Sequence, residues 1–84
     1  MEERIAELQQ IIHNDPTNFQ AMRELACVLM DIGENESALK ALLYLVKIFP
    51  DEAKLHYNMG IIYEKMRLDD KAISEYQTAT RLEP

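Results

Sequence analysis

Residues 51–84, DEAKLHYNMGIIYEKMRLDDKAISEYQTATRLEP, decide the fold, because their pattern of apolar and small residues also occurs 34 positions earlier in the chain. Pro16, Pro50 and Pro84 mark this period, since each proline follows the previous one by 34 residues. A repeat of this length is typical of an α-helical hairpin. One hairpin cannot bury its own apolar face, so such units stack on one another and leave a continuous groove along one side.

The pattern within each repeat is helical. The chain has only two glycines and no run of alternating β-branched residues that would predict a strand. Apolar residues recur at the i, i+3, i+4 and i+7 positions of a helix face, and Pro16 and Gly33 stand where helices end. The sequence predicts five helices, at residues 2–13, 18–31, 35–48, 52–66 and 69–82. Short connections make consecutive helices antiparallel neighbours.

Aligning the chain with itself at a shift of 34 places apolar residues on apolar residues. Gly60 falls on Ala26, so both repeats have a small residue where two helices can approach closely. Other matched pairs are Leu25 and Met59, Leu29 and Tyr63, Met22 and His56, Ala38 and Ala72, Leu42 and Tyr76, Leu45 and Ala79, Ile48 and Leu82. The first helix extends the columns backwards through Leu8 and Ile11.

These columns resemble the tetratricopeptide repeat family. The last repeat matches it best, through Tyr57, Asn58, Gly60, Tyr63, Ala72, Ile73, Tyr76, Ala79 and Pro84. The middle repeat matches through Leu25, Ala26, Leu29, Gly33, Ala38 and Pro50. Arg67 replaces the family glycine between the two helices of the last repeat, and Arg4 replaces a family alanine in the first helix. The resemblance implies an all-α, right-handed α-solenoid of antiparallel helix hairpins with about two and a half repeats.

The same alignment divides the chain into one domain of three parts. Residues 1–16 form a half repeat or a capping helix, and residues 17–50 and 51–84 form two repeats. The chain stops at a repeat boundary, so we expect it to be a fragment of a longer array.

The composition argues against several partners. The net charge is −6, with 9 basic and 15 acidic residues, which disfavours nucleic acid and an anionic membrane surface. No apolar run is long enough for direct membrane insertion. The first residues lack the apolar stretch of a signal peptide, and a single cysteine is consistent with a reducing compartment. We expect a cytoplasmic protein.

In this family the first helix of each repeat lines the concave groove, and the resemblance implies a protein or peptide partner held there. The corresponding residues are Gln20, Arg23, Cys27, Met30, Asp31, Lys54, Tyr57, Asn58, Ile61 and Lys65. Tyr57 and Ile61 lie one helical turn apart, and Met30 is expected to join them in an apolar, partly basic groove that binds an extended or helical segment. The alternative is that these residues make core contacts or meet a neighbouring repeat.

One branch of the family binds the C-terminal carboxylate of chaperones, with basic residues and asparagines at fixed positions. Arg23 and Asn58 occupy two of those positions, but Cys27 replaces the first asparagine, and the third repeat is absent. This specificity is therefore disfavoured. A chaperone-adaptor or scaffold module remains the general expectation.

Residues that could carry chemistry do not form a catalytic or metal-binding pattern. Cys27 has no base nearby in the sequence, His13 closes a helix, and His56 occupies a packing column. No two histidines have the spacing of metal ligands on a helix. The sequence predicts no enzyme, no cofactor and no metal site.

The last helix carries an apolar face of Ile73, Tyr76 and Leu82 that would meet another repeat in a longer array. The alternative function is therefore a structural repeat that forms a homo-oligomer through this terminal helix. The third helix is also unusually apolar, through Leu39, Leu43, Tyr44 and Val46. It is either covered on both sides or exposes an apolar convex face, and we expect the former.

Overall fold

The computed structural model describes all 84 residues and contains five α-helices. They are α1 (Glu2–Asn14), α2 (Phe19–Asp31), α3 (Asn35–Ile48), α4 (Ala53–Lys65) and α5 (Asp69–Leu82). Every helix begins and ends within one residue of its predicted position. Substantial contacts join only successive helices, so the molecule is an elongated stack measuring 35 × 24 × 16 Å. The prediction of an all-α fold of five helices is confirmed.

The core is entirely apolar and is centred on α4. Nine buried residues form one cluster, which consists of Ala26, Ala38, Leu42, Leu45, Leu55, Met59, Ile62, Tyr63 and Ala72. No polar or charged side chain is buried. The first helix contributes only Leu8 to the buried set, because it packs on α2 alone. Stability therefore depends on the α3–α4 layer far more than on α1.

The close approach of α4 and α5 depends on Gly60. A Cβ atom at this position would lie 2.6 Å from Cε1 and 2.7 Å from Cδ1 of Tyr76. The Tyr76 ring is held in place by the ring of Tyr57, 5.7 Å away between centroids, and by donation of its hydroxyl hydrogen to Glu64 at 2.7 Å. Burial, together with this carboxylate, raises the pKa of Tyr76 to about 12. In the middle repeat, residues 17–50, the positions that correspond to Gly60 and Tyr76 are Ala26 and Leu42.

The turn between α2 and α3 and the turn between α4 and α5 have the same backbone structure, although their residues differ. Gly33 has φ 82° and Arg67 has φ 64°, so both residues have a left-handed backbone conformation. The amide of Gly33 donates to Met30 O, and that of Glu34 donates to Leu29 O. Arg67 and Leu68 make the equivalent bonds to Glu64 O and Tyr63 O. These paired bonds define a Schellman turn, which the last repeat keeps although it lacks the glycine.

Replacing Arg67 by glycine is expected to stabilise the protein by about 0.5–1 kcal/mol, because a side chain strains a left-handed backbone. In a domain of this size, 1 kcal/mol shifts the melting temperature by roughly 4–8 °C. Thermal unfolding followed by circular dichroism measures this shift.

Gly33→Ala is the matched control for that substitution. A Cβ at Gly33 would meet nothing within 4 Å, so only the backbone conformation opposes the change. The melting temperature should fall in this variant. A lower melting temperature in Arg67→Gly as well would show that the arginine side chain stabilises the protein by more than its strained backbone destabilises it.

The apolar third helix is covered in part. Leu39 and Val46 pack against the core cluster, as expected for a helix lying between α2 and α4. Leu43 and Tyr44 instead remain 40% and 47% exposed. The expectation of cover on both sides therefore holds for two of the four residues, while the other two are exposed apolar side chains.

Candidate functional site

A groove of about 320 Å³ lies between α2 and α4. It brings together five of the predicted residues, namely Gln20, Arg23, Cys27, Lys54 and Asn58. The apolar part of the lining comes from Leu42 and Leu55, which are buried core residues. Glu24 and Glu52 complete the lining and were not among the predicted residues.

Arg23 is bound within the protein. Its Nε and Nη2 atoms donate to the two oxygens of Glu52, at 3.1 and 2.6 Å. Its guanidinium also lies 4.7 Å from the centre of the Phe49 ring, which packs edge-on against Phe19. These hydrogen bonds raise the pKa of Arg23 above its usual value. Arg23 therefore fastens α2 to the start of α4, and Glu52 occupies the face that would otherwise bind a ligand carboxylate.

A second ion pair borders the same groove. Arg4 of α1 donates from Nε to Glu24 at 2.7 Å, and it also contacts Glu7 at 3.3 Å. Of the four charged residues that line the groove, only Lys54 has no ion-pair partner. The side chains of Gln20 and Asn58 make no hydrogen bond to another protein group, and Cys27 is an exposed free thiol. The groove thus offers two amides and one ammonium for binding.

The remaining predicted groove residues have other neighbours. Tyr57 is 53% exposed and lies against Tyr76, beside a second pocket of about 300 Å³ between α4 and α5. Met30 packs against the core cluster, and Ile61 is half-buried. Asp31 and Lys65 are exposed. Tyr57 and Met30, which the sequence placed on one apolar surface, therefore have different packing partners.

The three residues of the predicted oligomer face also differ in accessibility. Ile73 is 53% exposed, whereas Tyr76 and Leu82 are half-buried. Ile73 and Tyr76 line a shallow pocket of about 460 Å³ together with Gln77, Thr80 and Arg81. The contact between Tyr57 and Tyr76 joins this face to the groove side of α4. Sequence reasoning treated the two surfaces as separate.

His56 links α4 to α5 and to the loop that precedes α4, which the sequence did not reveal. Its Nδ1 lies 2.8 Å from Glu75 Oε1 on α5, and its Nε2 lies 2.7 Å from the carbonyl oxygen of Pro50. Both ring nitrogens face acceptors, so the doubly protonated ring fits this site best. Burial lowers the pKa of His56, as does the charge of Arg81, but the two hydrogen bonds and the Glu75 charge outweigh them and raise it above 6.5.

Stability is expected to depend on pH through His56. A histidine with a raised native pKa contributes fully below its unfolded value near 6.5, and its contribution is lost as the pH rises through the native value. We expect the free energy of unfolding of the wild-type chain to fall over this range, because the neutral ring can donate only one of its two hydrogen bonds. Urea unfolding below and above neutral pH measures this loss.

His56→Gln should remove most of this dependence, whereas His13→Gln should keep it, because His13 lies exposed in the last turn of α1. An equal pH dependence in wild type and His56→Gln would contradict the assignment.

The comparison with protein families agrees with the repeat geometry. The family described as tetratricopeptide repeat matches residues 1–78. The chain belongs to the tetratricopeptide repeat family. No curated protein matches its sequence significantly.

Solved structures of MamA have the same fold as this tetratricopeptide repeat chain. The structure titled "MamA 41-end from Desulfovibrio magneticus RS-1" is 26% identical, with a TM-score of 0.89 over 95% of this chain. The structure titled "MamA RS-1 ArsTM double mutant" gives the same identity, TM-score and coverage. A third, "Crystal structure of MamA", is 26% identical, with a TM-score of 0.86 over 94% of this chain. The chain spans only 45–46% of the length of these structures.

The chain has neither a helix suited to span a membrane nor a cluster of metal-binding side chains. None of the five tetratricopeptide helices has the length and apolar character needed to cross a membrane. No three His, Cys, Asp or Glu residues are grouped so that they could hold a metal ion.

Proposed function

We propose that the chain is a protein-interaction module of the scaffold or adaptor type, which binds a segment of a partner protein in the groove between α2 and α4. One observation carries the proposal: Gln20, Lys54 and Asn58 border a groove to which Leu42 and Leu55 add apolar surface, and these three polar side chains have no hydrogen-bond or ion-pair partner in the protein. A peptide supplies both the backbone groups and the apolar side chains that such a groove can bind.

The charged residues of the groove indicate which kind of peptide segment it binds. Arg23 and Glu24 are each paired with an opposite charge from another element, which leaves the single positive charge of Lys54 in the groove. The pairing of Arg23 with Glu52 and the presence of Cys27 both speak against a chain-terminal carboxylate as the main determinant. We propose an internal segment with apolar side chains, and an acidic residue placed opposite Lys54.

A peptide library displayed on phage tests this proposal. Peptides selected on the wild-type chain would be synthesised with a fluorescent label, and their affinity for the purified chain would be measured by fluorescence anisotropy. We expect Asn58→Ala to weaken binding about tenfold, because the loss of one oriented hydrogen-bonding group from a small interface has an effect of this size. Lys54→Ala should weaken the peptides that carry an acidic residue more than those that do not.

Lys47→Ala is the matched control, because Lys47 is an exposed lysine near the end of α3 and does not line the groove. Selected peptides that bind Asn58→Ala, Lys54→Ala and Lys47→Ala equally well would overturn the groove assignment. Failure to select any peptide would count against the interaction module.

Self-association through α5 is the alternative function, and it requires an apolar surface on that helix. Of the predicted face, only Ile73 is strongly exposed, and its neighbours Gln77 and Thr80 are polar. We therefore expect a monomer in sedimentation equilibrium. A dimer that Ile73→Asp dissociates would favour the structural function instead.

A further inference from the structure

The connection between α3 and α4, residues 49–52, is held by side chains from other parts of the chain. The carbonyl oxygen of Pro50 lies 2.7 Å from Nε2 of His56. Both carboxylate oxygens of Glu52 accept hydrogen bonds from Arg23. Glu52 is the N-cap of α4, but its side chain makes no capping hydrogen bond. The position of this connection therefore depends on His56 as well as on Arg23.

The matched connection, 34 residues earlier, is held by its own side chains. There Asp15 accepts hydrogen bonds from both the amide and the hydroxyl of Thr17, at 3.1 and 2.7 Å. Asn18 caps α2 by accepting a hydrogen bond from the amide of Ala21 at 3.0 Å. This connection keeps its conformation without a histidine or an arginine from elsewhere, so the arrangement around residues 49–52 is a property of the last repeat.

The residues that face the two connections differ in the same way. Met22 and Ala41 occupy the positions of His56 and Glu75 in the middle repeat, so an apolar pair stands where the last repeat has an imidazole and a carboxylate. The repeat fold thus forms without a titratable group at this place.

Protonation determines how many hydrogen bonds His56 can donate. Its Nδ1 lies 2.8 Å from Glu75 Oε1, and its Nε2 faces the carbonyl of Pro50. The doubly protonated ring donates to both groups, whereas the neutral ring donates to one. Because a carboxylate is the stronger acceptor, the neutral ring keeps its proton on Nδ1. The Nε2 lone pair then faces the Pro50 oxygen, and the contact with the connection opens.

The other charged groups near His56 keep their charge around neutral pH. Those that act on it are Glu75 and Arg81 of α5, and the connection itself presents an uncharged carbonyl. Lys71 of α5 lies over the ring of Tyr63, 5.6 Å from its centre. Burial and the Glu75 charge raise the pKa of Tyr63, so its hydroxyl stays protonated. Histidine is the side chain whose ordinary pKa lies nearest to neutrality.

We propose that loss of a proton from His56 releases the connection and, through it, the ion pair between Arg23 and Glu52. Glu52 lies two residues after Pro50 in the same short connection, so the closed pair is the state at low pH. In the neutral state, Arg23 adds a positive charge to the groove beside Lys54 and can bind a carboxylate through two parallel hydrogen bonds. The linkage concerns the chain alone, and only its effect on binding rests on the proposed function.

The Nε–H signal of Arg23 in NMR spectra recorded between about pH 5 and 8 tests the linkage. Its chemical shift should follow the titration of the His56 ring, because the hydrogen bond from Nε to Glu52 is lost as the ring becomes neutral. Arg4 is the internal control, since it donates from Nε to Glu24 in a similar ion pair and its bonded partners are Glu24 and Glu7. Its signal should stay constant.

Glu75→Gln separates the linkage from a general effect of charge. A glutamine amide can donate to Nδ1 while Nε2 donates to Pro50, so the neutral ring keeps both contacts. The ring of His56 should still titrate in this variant, but the Arg23 signal should no longer follow it. His56→Gln should also abolish the change in Arg23, and His13→Gln should keep it, because His13 lies exposed at the end of α1.

Three results would overturn the linkage. The first is an Arg23 signal that stays constant while His56 titrates. The second is a response that persists in Glu75→Gln, which would mean that the charge of His56 acts directly on Glu52, one helical turn before it. The third is a response that persists in His56→Gln, which would assign it to another group.

Peptide binding tests the consequence for the groove. Peptides that carry an acidic residue should bind the wild-type chain about fivefold more tightly above the pKa of His56 than below it, a size usual for coupled sites. The difference should disappear in Glu75→Gln. An affinity that does not change with pH would overturn the effect on binding. A failure to select any peptide would count against the proposed function, while the Arg23 titration still decides the linkage.

Discussion

Replacing Leu45 by alanine is expected to lower the free energy of unfolding by about 2–5 kcal/mol, the range for truncating a fully buried leucine. Leu45 has no exposed surface and belongs to the central cluster around α4. A domain of 84 residues has a total stability of roughly 4–13 kcal/mol, so the variant would lose a large part of it. Urea unfolding followed by circular dichroism measures the change.

Leu43→Ala is the matched control, because Leu43 lies on the same helix and is 40% exposed. Its loss of stability should stay below about 1 kcal/mol, since truncation leaves no enclosed cavity. Similar losses in the two variants would mean that α3 is not packed as the structure describes.

Gly60→Ala is expected to destabilise the protein by about 1–2 kcal/mol, although alanine is the better helix former by about 1 kcal/mol. The new Cβ would lie 2.6 Å from the Tyr76 ring. That ring cannot move away freely, because Tyr57 packs against it and Glu64 accepts its hydroxyl hydrogen. Thermal and urea unfolding of the variant both measure the result.

The middle repeat, residues 17–50, shows which second substitution should relieve the clash in Gly60→Ala. Its matched pair, Ala26 and Leu42, combines a larger helix residue with a smaller partner, and both lie in the buried cluster. The double variant Gly60→Ala/Tyr76→Leu should therefore be more stable than the sum of its single changes predicts, by roughly 1–2 kcal/mol in a double-mutant cycle. Additive effects would show that the contact between Gly60 and Tyr76 does not limit the helix spacing.

The fold could be predicted because its determinants are local. Helix ends follow from Pro16, Gly33 and Pro50, and the 34-residue period follows from residues that repeat the same packing environment. The turn at Arg67 does not follow from its residue type, since arginine has no preference for a left-handed backbone. The structure keeps that turn because the hydrogen bonds of the flanking helices determine it.

The candidate site could be predicted only in outline, because its details depend on pairs that are distant in sequence. Arg23 and Glu52 are 29 residues apart, and His56 and Glu75 are 19 apart. Helical periodicity indicates which face of α2 contains Arg23, but not which carboxylate lies opposite. In the same way, it placed Tyr57 on the groove side of α4 without indicating that Tyr76 would draw it towards α5.

The restriction of contacts to successive helices also determines how the chain opens and closes. Most tertiary contacts form between successive helices joined by a short loop, so little chain entropy is lost before native contacts form, and folding should be fast. Opening should be graded along the stack, because α1 can detach while the α3–α4 layer stays intact. Amide protons would then exchange with solvent earliest in α1 and latest in α4, because the α1 end unfolds locally while the centre of the molecule stays folded.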